Sequence, residues 1–75
     1  MLAYVLIGLL ECDEKKCLDE LLSFKEVLEG HILFGEWDLL VKIKSKSPED
    51  TGTFVMENIR SMPDVKITST LIVAR

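Results

Sequence analysis

The chain has 75 residues, 48% of them apolar, and a formal net charge of −4. That length makes a single domain, 1–75, near the lower limit at which one core sustains itself, and the apolar share exceeds what so small a body can hide. The surplus is expected at an interface between copies of the chain, and the nine scattered Lys and Arg argue against direct nucleic-acid binding, which calls for a basic face.

Met1 leads straight into Leu2-Ala3-Tyr4-Val5-Leu6-Ile7-Gly8-Leu9-Leu10 without the basic region or cleavage site of a signal peptide. At about ten residues the run is too short to span a membrane, so a cytoplasmic location is expected. Residues 3–10 read as a strand buried on both faces, hence a central one. Asp13 is placed to cap a helix, on which Cys17, Leu18, Leu21, Leu22 and Phe24 recur at spacings of three and four. The spacing of Cys12 and Cys17 matches neither a CxxC redox pair nor half of a zinc site, and one His cannot complete a tetrahedral set. Cys17 is expected as a small buried hydrophobe, and no metal or cofactor is expected.

Val27 to Phe34 reads as the second strand, with Gly30 marking a bulge or a close backbone approach. His31, alone in an apolar strand, is expected to be a hydrogen-bonded structural residue. Gly35-Glu36-Trp37-Asp38 then hinges a hairpin. Its Gly permits φ > 0 and a close neighbour. The only Trp of the chain stands beside a carboxylate there, where a plain turn would carry Asn, Ser or Lys. In the third strand Leu39, Val41 and Ile43 alternate with Leu40, Lys42 and Lys44, giving one wet face.

Ser47-Pro48-Glu49-Asp50 is a strong helix start, with a Ser cap, Pro at the first position and acids in the first turn. Thr51, Phe54, Val55, Ile59 and Met62 form the apolar stripe. Gly52 weakens this helix by about 1 kcal/mol relative to Ala without an evident reason. Pro63-Asp64 ends it, and residues 65–74 form the last strand. Strict alternation there places Val65, Ile67, Ser69, Leu71 and Val73 on one face and Lys66, Thr68, Thr70, Ile72 and Ala74 on the other.

The order strand, helix, strand, strand, helix, strand predicts an α+β, ferredoxin-like βαββαβ fold. It comprises a four-stranded antiparallel sheet with both helices on one face. Since the first strand is apolar on both sides, a second copy stacked on the open sheet face is the expected cover.

The stretches Glu26-Val27-Leu28, Gly35-Glu36-Trp37-Asp38-Leu39-Leu40-Val41-Lys42-Ile43 and Ile59-Arg60-Ser61-Met62-Pro63-Asp64-Val65-Lys66-Ile67-Thr68-Ser69-Thr70 resemble the effector-sensing (RAM) domain of Lrp/AsnC transcription regulators. The resemblance covers nearly the whole chain. No helix-turn-helix module precedes the first strand, so the expectation is a stand-alone RAM domain. It implies a homo-oligomer, a dimer through the sheets or an octamer built from such dimers, with an amino-acid-like effector held between dimers. Gly35, Trp37, Asp38 and Leu39 would form one wall, with Thr68, Ser69 and Thr70 as candidates for the other. In physical terms Asp38 suits an α-ammonium, backbone N–H groups near Gly35 an α-carboxylate, and Trp37 an apolar side chain or a cation.

Each role has a structural counterpart. The counterpart for Asp38 is accepting turn N–H groups, for Trp37 packing across an oligomer contact, and Thr68 and Thr70 are ordinary β-formers. A second functional reading is a ligand-independent assembly partner of full-length Lrp/AsnC regulators. An ACT-like sensor shares the topology but lacks the Gly35 to Asp38 corner. A dimeric α+β barrel enzyme is disfavoured because one His and two unpaired Cys supply few general bases or nucleophiles.

Overall fold

The computed structural model describes residues 1–75. Its spine is β1 (Leu2–Leu9), whose apolar residues let it lie between two partners. It pairs antiparallel with β3 (Leu39–Lys44) on one side, Val5 opposite Val41, and with β4 (Val65–Ile72) on the other, Val5 opposite Thr70. β2 (Val27–Ile32) completes the sheet outside β3, giving the order β2-β3-β1-β4. With α1 (Glu14–Leu22) and α2 (Pro48–Phe54) this is the βαββαβ arrangement that the sequence predicts.

Alternation decides which residues make the core. Ala3, Val5 and Ile7 of β1 and Leu39, Val41 and Ile43 of β3 point to the helices and are buried, joined by Cys17 and Leu21 of α1. The whole stripe predicted for the second helix, Thr51, Phe54, Val55, Ile59 and Met62, is buried as well. Phe24 and Phe54 meet edge to face at 5.5 Å between centroids. Both predicted caps form: Asp13 accepts from the Lys16 N–H at 3.3 Å and Ser47 from the Asp50 N–H at 3.1 Å.

No helix covers the opposite sheet face. Leu2, Tyr4, Leu6 and Leu40 are half-buried on it, and Ile67 and Leu71 are exposed. Within one chain, therefore, β1 is buried on one face only. Its other face belongs to an apolar surface that continues onto β3 and β4.

Four local features differ from expectation. β2 ends at Ile32 rather than Phe34, and Phe34 is fully exposed. The corner thus spans residues 33–38 and is closed by the Leu33 N–H donating to the Asp38 carbonyl at 2.8 Å. Gly35 takes no positive φ, and a Cβ there would meet nothing within 4 Å. Gly30 does serve a close approach, since a Cβ would lie 2.7 Å from Leu18 Cδ1 of α1. The register irregularity of β2 falls between Val27 and Glu29 instead.

The second helix changes character midway. From Val55 to Ile59 it widens to a π-helical turn, with the Arg60 N–H donating to the Val55 carbonyl at 2.8 Å. Gly52 lies before this change, exposed and with open space around it, and nothing in the packing explains it.

The fourth difference bears on the site. Gly8 pairs with Ile67 and Leu9 with Val65, so β4 carries one extra residue, Lys66, opposite the Gly8–Leu9 step. This β-bulge breaks the alternation. Val65 packs against the core while Ile67 turns to the open face. Beyond it Ser69 shares the open face with Leu6, and Thr68 and Thr70 lie opposite Ile7 and Val5 on the helix side.

Candidate functional site

The site is built where β1 ends. At Gly8 the strand has no side chain, and the space is taken by neighbours. A Cβ there would stand 2.8 Å from Ile67 Cγ2 and 4.0 Å from Trp37 Cε3. Trp37 from the corner and Ile67 from β4 thus converge over the same glycine on the open face. With the bulged Lys66, and with Glu36, Asp38 and Leu9, they line a cleft of about 190 Å³. Bulges beside binding sites commonly serve to re-aim one side chain, and here that side chain is a lysine.

Asp38 holds the corner in place. Its N–H donates to the Ile7 carbonyl at 3.0 Å, continuing the β3–β1 ladder. Two residues further along β1, where β3 offers no more backbone, the Leu9 N–H donates to Asp38 Oδ2 at 2.7 Å. A carboxylate therefore replaces the missing carbonyl of the ladder, so the turn role is occupied. A carboxylate has about four lone-pair sites, however, which leaves capacity on the cleft side.

Asp38→Ala removes the partner of a half-buried amide and is expected to cost about 1–3 kcal/mol. Asp38→Asn keeps an oxygen acceptor and is expected to cost less than about 1 kcal/mol. Urea denaturation of the two variants checks the difference, and Asn is consequently the substitution that removes the charge without releasing the corner.

The residues expected to form the site are only partly brought together. Trp37 and Asp38 line the cleft. Gly35 stands outside it in open space, and the Leu39 side chain is wholly buried in the core. Thr68 and Thr70 share a face, as expected, but it is the helix side of the sheet, while Ser69 lies on the open face outside the cleft. Lys66, Ile67, Gly8, Leu9 and Glu36 enter unannounced. The available signal was Gly8, a glycine inside an apolar strand, which marks a bulge or a close approach.

The open face carries a second polar group at its β2 end. His31 Nε2 is 2.9 Å from Glu29 Oε2, and Lys42 Nζ is 3.6 Å from Glu29 Oε1 and over the Tyr4 ring. The His31 hydrogen bond holds the Glu29 carboxyl below its ordinary value, with the Lys42 charge assisting. His31 is thus hydrogen-bonded, but at the exposed surface rather than within an apolar layer. No helix of the chain is long and apolar enough to cross a membrane.

Residues 2–75 match the family described as the Lrp/AsnC ligand binding domain. A curated relative, the HTH-type transcriptional regulator FL11 of Pyrococcus abyssi, is 32% identical over 75 residues, covering 100% of this chain and 49% of its own length. The chain therefore spans about half the length of that regulator. Among solved structures, FFRP-DM1 superposes with a TM-score of 0.90 at 35% identity over 96% of both chains. A regulator from Neisseria meningitidis, NMB0573, solved as a complex with L-Met, shares the fold with a TM-score of 0.88 at 18% identity, over 99% of this chain and 49% of that one. The chain thus belongs to the Lrp/AsnC ligand-binding domains, a regulatory rather than an enzymatic family.

Proposed function

We propose that this domain senses an amino acid or a closely related zwitterion, held at an interface between copies of the chain. The supporting observation is the chemistry gathered in one cleft: Asp38 and Glu36 carboxylates, the Lys66 ammonium and the apolar surface of Trp37 and Ile67. An α-amino acid presents the complementary set, with the carboxylates facing its ammonium, Lys66 its carboxylate and Trp37 its side chain. The cleft's volume supports completion by another subunit. At about 190 Å³ it falls below the roughly 300–1,000 Å³ of self-contained small-molecule pockets. In this reading dimers form through the open sheet faces and assemble further, up to an octamer, around the ligand. Gly35 at the corner, Leu39 through its backbone, and Thr68, Ser69 and Thr70 through a neighbouring dimer's β4 would be the flanking contributors. A ligand that bridges dimers shifts assembly only by its differential affinity for the assembled state.

The test combines light scattering after size exclusion with Trp37 fluorescence, with and without each of the twenty amino acids. A saturable response to one or a few of them is expected, accompanied by a change in mass. Asp38→Asn and Lys66→Gln are expected to weaken it about 10- to 100-fold each, the worth of one charge-assisted hydrogen bond.

One observation favours a second reading, that of an assembly partner for full-length Lrp/AsnC regulators with no ligand of its own. Asp38 already serves the Leu9 N–H, so the corner has a structural reason to exist. A fixed mass and a silent Trp37 with all twenty amino acids would replace the first reading by this one.

A further inference from the structure

On the helix side of the sheet three ligating side chains from distant parts of the chain come together, away from the cleft. Cys12 lies in the bend after β1, Cys17 on α1, and Asp64 in the turn before β4. Cys12 Sγ and Cys17 Sγ are 3.8 Å apart, Cys17 Sγ and Asp64 Oδ2 are 3.8 Å apart, and all three donor atoms lie within 4.8 Å of one another. We infer that Cys12, Cys17 and Asp64 form a site for a thiophilic divalent cation of the zinc class, with water in the fourth position.

The distances carry the inference. With metal–sulfur bonds of about 2.3 Å and metal–oxygen bonds of about 2.0 Å, the edges of a tetrahedron are about 3.8 Å between sulfurs and about 3.5 Å between sulfur and oxygen. The cysteine pair already stands at the first value, and Cys17 to Asp64 is within about 0.3 Å of the second. A disulfide, by contrast, requires about 2.05 Å between sulfurs. The frame that holds the donors is fixed by backbone bonding, since the Leu10 N–H donates to the Asp64 carbonyl at 2.8 Å and the Cys17 N–H to the Asp13 carbonyl at 3.2 Å.

The donor set and its surroundings also select the ion. Two thiolates and one carboxylate suit a borderline cation in tetrahedral geometry and are poor ligands for magnesium or calcium, which take oxygen. Asp13, Glu20 and Asp64 face the site, with Lys16 as the one opposing cation. This field favours a divalent ion. Binding breaks the two S–H bonds and releases both protons to solvent as two S–metal bonds form, while the carboxylate and one water complete the sphere. Sequence alone discounted the pair because the third ligand lies 47 residues from Cys17 and the ligand inventory stopped at the single His.

The experiment titrates the reduced, full 75-residue chain with Co²⁺ under anaerobic conditions and then displaces it with Zn²⁺. A near-ultraviolet thiolate-to-cobalt charge-transfer band and tetrahedral visible bands are expected, saturating at one ion per chain and bleached by Zn²⁺. Zn²⁺ should also raise the thermal midpoint, because it binds the folded form. Cys12→Ser, a half-buried position whose fold circular dichroism verifies, is expected to abolish most of the charge transfer. Asp64→Asn is expected to loosen binding at least about tenfold. The inference is overturned if no charge-transfer band appears or if the band persists unchanged in both variants. None of these outcomes depends on an amino-acid response at the cleft.

Discussion

Leu39→Ala is expected to lower the stability of the domain by about 2–5 kcal/mol, the range for truncating a fully buried leucine. Leu39 has no exposed surface and lies in the core beside Val41 and Ile43. A domain of this size has roughly 4–11 kcal/mol in total, so the substitution removes a large share of it. At about 4–8 °C per kcal/mol the thermal midpoint should fall by about 8–40 °C. Leu40→Ala supplies the contrast. One residue along, that side chain is half-buried on the open sheet face and makes no core contact to lose, so the isolated fold should lose less than about 1.5 kcal/mol. Calorimetry on the two variants distinguishes them. Equal effects would mean that the two faces of β3 are not divided as described.

If copies of the chain associate through the open sheet face as proposed, Leu6→Glu is expected to leave them monomeric with the protomer folded. Leu6 sits at the middle of the open face, opposite Leu40 on one side and Ser69 on the other. If two sheets stack there, each carries the substitution, and two carboxylates are buried without partners. The penalty is several kcal/mol per ion, and each 1.4 kcal/mol is tenfold, so dimer affinity should fall by more than about a thousandfold. Sedimentation equilibrium measures the mass and circular dichroism the fold. A Leu6→Glu protein that remains dimeric would show that the copies associate through another surface.

Much of the fold was legible because local signals agreed with the global pattern. Asp13 and Ser47-Pro48 announced two helices that begin where those residues stand. The period-two pattern of residues 39–44 gave the buried set Leu39, Val41 and Ile43 without error. The continuous apolar run of β1 identified the central strand, and Cys17 is buried as its place on α1 required.

What was not legible depends on register and on long-range proximity. A single bulged residue, Lys66, moves Val65 and Ile67 to opposite faces, and nothing in Val65-Lys66-Ile67 itself distinguishes a bulge from plain alternation. The residues named from sequence accordingly include Trp37 and Asp38 of the cleft, which adjoin in sequence, and omit Lys66, which reaches them only through that bulge. It also gave Gly35 a left-handed turn that the longer corner, closed by Leu33 and Asp38, does not need. The proximity of Asp64 to the two cysteines is likewise a product of β4 returning beside β1.

The placement of β1 between its two partners also has a consequence for how the chain is made. Its neighbours are residues 39–44 on one side and 65–72 on the other, so ribosomal synthesis delivers the most apolar strand well before either of the strands that shelter it. At about 5–20 residues per second, the interval from Leu9 to Ile72 is roughly 3–13 s. During that time the strand lacks at least one of its two partners and is prone to non-specific association, and the pairing that ends the interval is non-local, the kind that folds slowly. Transient protection by a holding chaperone, or early capture by a neighbouring nascent copy, is the demand that this topology places on the cell.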